Sequence, residues 1–201
     1  MYASPKLYTL AMRVLYWPHF ADRYRVVADL IPPGSTVVDA CCGDAYIYTE
    51  YLQRKGVQYV GLDSSPAMVK AGIESGLDIR LWNALEEEVP TADVVLMQGA
   101  LCHFIPDTAP IVKKLCVAAR EMVIISEPIR PKPHSDVPLL SKLSKTFTQP
   151  LNDNGSYRGD RFTKEELQNL LQAMPGFISS QVVPGGREMV GVLHGQKRKT
   201  S

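Results

Sequence analysis

Four short stretches hold residues whose types and spacing suit ligand chemistry. Asp39-Ala40-Cys41-Cys42-Gly43-Asp44-Ala45 sets a carboxylate ahead of small residues, which let a backbone turn sharply and approach a ligand closely. Gly61-Leu62-Asp63-Ser64-Ser65-Pro66-Ala67-Met68 carries an acid able to accept hydrogen bonds from both hydroxyls of a ribose. Asp63 lies about two dozen residues past the first stretch, near the offset of roughly 20 usual for nucleotide-binding α/β units. Trp82-Asn83-Ala84-Leu85 offers an amide for an adenine edge. Met97-Gln98-Gly99-Ala100-Leu101-Cys102-His103-Phe104 places an amide and an imidazole after an apolar run, and Glu127 ends another such run.

Plainer roles compete at each position. Asp39 can cap a turn, Asp63 and Asn83 can serve as turn residues, and Met68 can fill core. Adjacent Cys41 and Cys42 suit small buried filler better than a nucleophile or ligand. Glu127 suits structuring the segment after it better than acting as a base. Glu86-Glu87-Glu88 is a solvated charge run.

The elements that must position these residues alternate. Thr36 to Ala40, Tyr59 to Asp63, Asp78 to Trp82, Asp93 to Met97 and Met122 to Ser126 are short apolar runs of strand type. Between them, Tyr46 to Lys55, Pro66 to Ser75 and Thr108 to Ala119 read as helices. Gly56 stops the first of these and Pro66 starts the second. Such alternation predicts a parallel sheet covered on both faces. Thr163-Lys164-Glu165-Glu166 is a capping box opening a helix to about Met174. Phe177 to Val183 and Glu188 to Leu193, joined across Pro184-Gly185-Gly186, predict a closing antiparallel hairpin. The fold class is therefore α/β: a Rossmann-like three-layer α/β/α sandwich with a mostly parallel seven-stranded sheet and a C-terminal antiparallel hairpin. Residues 1–201 form one domain, with an N-terminal helical cover over about 1–31. A proline-rich insertion over about 129–161 has the length of a functional lid.

Composition narrows the classes. The chain has 201 residues, 45% hydrophobic and 21% charged, with formal net charge +1. It shows no basic stripe or appended module for nucleic acid. The apolar stretch Leu7 to Phe20 is broken by Arg13, Pro18 and His19, so neither a membrane span nor a signal peptide is expected. Four cysteines without a CxxC pair fit reduced thiols in a cytoplasmic protein, with no zinc site. The strand-four end holds no acidic cluster for magnesium, so no metal is expected.

In an open α/β sheet ligands bind outside the carboxyl ends of the strands, where strand order reverses. There the sequence resembles the class I S-adenosylmethionine-dependent methyltransferase family. Asp39-Ala40-Cys41-Cys42-Gly43 looks like its DxGCG motif, and Gly61 to Met68 is similar to its GxDxSxxM motif. Leu101-Cys102-His103-Phe104 resembles the LHHF-like segment of its small-molecule members, and Phe162-Thr163-Lys164-Glu165-Glu166-Leu167 its FT-x-EEL helix start. The matches run in family order over nearly the whole chain. The resemblance implies that Asp39, Ala40, Cys41, Cys42 and Gly43 line the methionine moiety of S-adenosylmethionine. It places Asp63 and Ser64 at the ribose, Met68, Asn83 and Ala84 around the adenine, and Gln98 at the switch point. The family's first and last glycines are here Cys41 and Ala45, which implies weaker or re-angled binding.

The expected reaction is in-line methyl transfer to a small molecule. Holding the reacting atoms in line can itself supply roughly 7 kcal/mol or more. An oxygen nucleophile would need proton removal, for which His103 and Glu127 are the candidates. Gln98-Gly99-Ala100-Leu101 lacks the Asn/Asp-Pro-Pro-aromatic motif of members that methylate exocyclic or amide nitrogens. Alternatives are a catalytically idle homologue that binds a partner, then a protein or RNA methyltransferase. A nicotinamide enzyme comes last, because GxGxxG is absent.

Overall fold

The computed structural model describes residue 13, residues 18–130 and residues 161–196. The N-terminal helix expected around Tyr8, the short helix expected at Leu139 to Phe147 and most of the expected lid lie outside them.

Seven strands form one sheet: β1 (Thr36–Ala40), β2 (Gln58–Asp63), β3 (Ile79–Leu81), β4 (Ala92–Gln98), β5 (Ala119–Pro128), β6 (Phe177–Val182) and β7 (Glu188–His194). Their order is β3-β2-β1-β4-β5-β7-β6. The first five are mutually parallel, and β7 runs antiparallel to both β5 and β6. The chain moves outward from β1 to β3, then returns to place β4 on the other side of β1. That reversal opens a crevice at the carboxyl ends of β1 and β4.

Alternation along each strand feeds two cores. Val37, Leu96 and Ile124 join a cluster with Val27, Ala28 and Ile31 of α1 (Asp22–Leu30) and Val69 of α2 (Pro66–Glu74). Val38, Met97 and Ile125 join the opposite cluster, with Ile111, Val112 and Leu115 of α3 (Thr108–Ala118) and Leu167 and Leu171 of α4 (Lys164–Gln172). The strands are apolar on both faces because helices cover both.

Local chemistry sets the helix starts. Ser65 caps α2 through the Met68 amide, with Pro66 in the first turn. The Thr163–Glu166 capping box opens α4: the Glu166 amide donates to the Thr163 hydroxyl at 3.1 Å, and the Thr163 amide donates to Glu166 at 2.7 Å. Two elements differ from the sequence reading. The segment expected as one helix after Tyr46 is wound as a π turn over Tyr48–Leu52 and a 3-10 turn over Gln53–Lys55, ending at Gly56 with φ 65°. Strand β5 runs beyond Met122 to Ser126 at both ends, because β7 pairs with it from Met122 to Pro128.

Candidate active site

The loop leaving β1 is the centre of the site. Asp39 is buried, and the Tyr59 hydroxyl from neighbouring β2 donates to its carboxylate at 2.9 Å. Cys41, Gly43 and Ala45 have φ of 63°, 56° and 53°. This left-handed conformation disfavours any L side chain by roughly 1–2 kcal/mol. The loop therefore keeps a glycine-type backbone at two positions that carry side chains. A Cβ built on Gly43 would meet nothing within 4 Å, so the loop has open space beside it. The Cys42 sulfur sits over Gly61, where a Cβ would come within 2.7 Å of it. Burial, helped by the nearby carboxylates Asp63 and Asp39, pushes both thiols well above their ordinary value. Such thiols are poor nucleophiles.

The backbone strain at Cys41 has a measurable consequence. A β-branched side chain in this conformation is a steric outlier, with strain of about 1–3 kcal/mol. Cys41→Val should destabilise the protein by about 2 kcal/mol more than Cys41→Gly in urea denaturation. Equal stability of the two variants would show that the loop does not hold this backbone in solution.

Asp63, half-buried at the carboxyl end of β2, ties two loops together. The Gly43 amide donates to Oδ2 and the Ser65 amide to Oδ1, both at 2.8 Å. A carboxylate oxygen has two acceptor positions, so each keeps one for a ligand. Ser64 is exposed beside it, and Met68 is buried beneath α2. Beyond β3, Asn83 forms a turn: its Oδ1 accepts from the Leu85 amide at 3.1 Å. Ala84 is buried, and its carbonyl accepts from Lys114 of α3 at 2.8 Å. Asn83 and Ala84 thus line the third strand end while performing ordinary turn work.

The turn after β4 belongs to Glu127. Its fully buried carboxylate accepts the amides of Ala100 at 2.7 Å, Leu101 at 2.6 Å and Cys102 at 3.4 Å. These bonds favour the charged form, but burial outweighs them and, with nearby Glu188, raises Glu127 to about 7. The sequence reading offered Glu127 as a proton acceptor; its contacts instead make it the clamp that shapes the loop carrying His103. The His103 ring is on the exposed side of that turn, and desolvation followed by the nearby Arg161 cation lowers its pKa.

Gln98 also turns to different partners from those expected. Its Nε2 donates to the Arg23 carbonyl at 3.2 Å and to Glu188 at 3.4 Å. Arg23 of α1 and Glu188 of β7 form a buried ion pair at 2.7 Å, and the Ser126 hydroxyl donates to Glu188 at 2.5 Å. The sequence reading missed Arg23, Ser126, Glu188 and Tyr59. A charged Glu188 opening an otherwise apolar strand was the available signal.

Asp39 and Glu127 make stability depend on pH. Burial raises Asp39 to about 7, against an ordinary value of 3.8. Between those values the folded protein binds more protons than the unfolded chain. Stability is full below about pH 4 and falls until about pH 7, and Glu127 adds in the same direction. Asp39→Asn should flatten part of this slope in denaturation curves taken from pH 4.5 to 7.5. An unchanged slope would show that Asp39 does not titrate there.

The same fold and family are found among known proteins. Residues 21–127, from α1 through almost all of β5, match the family described as methionine biosynthesis protein MetW. The chain belongs to the MetW family. A curated relative, trans-aconitate 2-methyltransferase of Mycobacterium tuberculosis, is 40% identical over 78 residues, which is 35% of this chain and 28% of the relative. The match thus spans little more than a quarter of that protein. Among solved structures, magnesium protoporphyrin IX methyltransferase from Synechocystis PCC 6803, solved with bound S-adenosylhomocysteine (SAH), aligns with a TM-score of 0.63 at 17% identity, over 92% of this chain and 85% of its own. The cyclase SpnF aligns with a TM-score of 0.65 at 13% identity, over 89% and 82%. These likenesses give the MetW-family chain the Rossmann-like fold of class I methyltransferases. The cyclase shows that one such fold hosts different chemistry, so function must be argued from the site. Among the described residues, no helix is long and apolar enough to cross a membrane. No group of three or more His, Cys, Asp or Glu residues among them could hold a metal ion.

Proposed function

We propose that this chain transfers a methyl group from S-adenosylmethionine to a small-molecule acceptor. The observation that carries the proposal is the loop at the β1–β4 reversal. Its backbone is left-handed at Cys41, Gly43 and Ala45, and it is tied to the Asp63 carboxylate through the Gly43 amide. The space beside Gly43 and the acceptor positions remaining on Asp63 fit this cofactor. Asp39, Ala40, Cys41, Cys42 and Gly43 flank its methionine part, Asp63 and Ser64 its ribose, and Met68, Asn83 and Ala84 its adenine. Gln98 anchors the β4 end to Arg23 and Glu188 beside that groove.

The cofactor supplies a methyl group already activated on a sulfonium. The chain's task is to bind and align. Glu127 fixes the turn after β4, and that turn presents His103 to the acceptor side. A lowered pKa keeps the His103 ring neutral near pH 7, the form able to take a proton from a hydroxyl or carboxyl acceptor. His103→Ala should slow turnover by about 10²-fold if the ring takes that proton, with the acidic limb of the rate profile lost. An unchanged rate and profile would leave alignment as the whole mechanism.

The name of the trans-aconitate 2-methyltransferases supports an organic acid as acceptor. A second reading, an idle homologue that binds a partner, is favoured by the side chains at the two glycine-type positions. SAH binding is the first test: at 100 times its dissociation constant it should add about 2.7 kcal/mol of stability. No stabilisation by SAH at any concentration would remove the proposal.

A further inference from the structure

One cavity remains outside the loop residues described above. It has a volume of about 210 Å³ and is lined by His19, Arg23, Val183, Pro184, Gly185, Arg187 and Glu188. None of the residues placed around the cofactor lines it. It nevertheless adjoins them. Glu188 pairs with Pro128 at the carboxyl end of β5, and Gln98 at the end of β4 donates to Glu188. A Cβ on Gly99 would lie 3.7 Å from an Arg23 Nη atom. The cavity thus opens on the same sheet edge as the candidate active site, on its β5–β7 side.

Its lining is cationic. Arg23 and Arg187 bring two guanidinium groups and His19 an imidazole. Facing them are Glu188, which pairs with Arg23 at 2.7 Å, and Asp22, which meets His19 at 2.9 Å and Arg25 at 3.4 Å. Arg23 is held in place by that buried pair, while Arg187 sits exposed in the β6–β7 turn. The two arginines give a charged rim, and Val183 and Pro184 an apolar wall. His19 packs on Gly185, whose Cβ would come within 2.8 Å of the ring, so the cavity is closed on that side. The volume lies below the 300 Å³ or so of pockets for drug-sized ligands, which suits a small acid. Guanidinium groups match a carboxylate in shape and charge.

We infer that this cavity is a carboxylate subsite of the methyl acceptor, with Arg187 the residue that selects acids over neutral analogues. The inference rests on the proposed methyl transfer and deepens it. The test is calorimetric titration of the full chain, saturated with SAH, with trans-aconitate, succinate and malonate. Dimethyl succinate is the neutral control, and SAH affinity is measured separately. At least one acid should bind, the diester should bind at least tenfold more weakly than its acid, and Arg187→Gln should weaken the bound acid tenfold or more. Arg187→Lys should restore part of the loss, and SAH affinity should stay within twofold in both variants. The inference is overturned, with methyl transfer untouched, if SAH binds but no acid does, or if the diester binds as well as its acid. It is equally overturned if Arg187→Gln weakens SAH as much as the acid, because the cavity would then serve the cofactor. A wild-type chain that binds no SAH removes both readings together.

Discussion

Replacing Asp63 with alanine should abolish most of the stabilisation that SAH gives the protein. The carboxylate stands at the end of β2 with one acceptor position left on each oxygen, beside the loop that leaves β1. Two ribose hydroxyls bonded to a charged acceptor contribute about 1.5–3 kcal/mol each, so the dissociation constant should rise by about 10²-fold or more. At 100 times the wild-type constant, wild type gains about 2.7 kcal/mol and a variant weakened 100-fold gains about 0.4 kcal/mol. The substitution also frees the Gly43 and Ser65 amides, so stability without ligand is measured alongside by urea denaturation. Asp63→Asn keeps the side-chain shape and one acceptor oxygen, and should fall between wild type and alanine. A thermal shift in Asp63→Ala as large as in wild type would remove Asp63 from the binding site.

Loss of Glu127 should destabilise the fold itself. Three backbone amides of one turn end on its buried carboxylate. Each buried donor left without a partner costs about 1–3 kcal/mol, so Glu127→Ala should lower stability by about 3 kcal/mol or more. Glu127→Gln should be much milder. The amide oxygen still accepts, and the lost charge is one that burial already disfavours, as the rise to about 7 shows. Urea denaturation at pH 6 and 8 separates the cases. An alanine variant as stable as wild type would mean that the turn after β4 is held by other contacts.

Much of the fold was legible because its signals are local. Apolar runs bounded by turn residues gave the strands, Thr163 and Glu166 gave the start of α4, and Pro184-Gly185-Gly186 gave the hairpin. The β1 loop and Asp63 were legible for the same reason, since residue type and spacing are properties of short stretches. The roles that were not legible depend on partners distant along the chain. Glu127 at a strand end reads equally as base or clamp until the amides of residues 100–102 are brought to it by the β4–β5 pairing. Gln98 reads as a ligand contact until Arg23 and Glu188, from opposite ends of the chain, meet it. Met68 and Asn83 were open between core or turn and ligand, and the structure shows the core and turn contacts directly. The π turn at Tyr48–Leu52 carries no sequence feature that we can connect to its winding.

Methyl transfer itself is the central claim, and one measurement addresses it. Purified protein is incubated with S-adenosylmethionine carrying a labelled methyl group and with small organic acids, trans-aconitate among them, alongside a metabolite extract. The expected result is label in a low-molecular-weight product, matched mole for mole by SAH and absent when Asp63→Ala replaces wild type. SAH that binds tightly while no acid or extract fraction gains label would contradict the account in favour of the idle homologue, and label found only in protein or RNA would contradict its choice of acceptor.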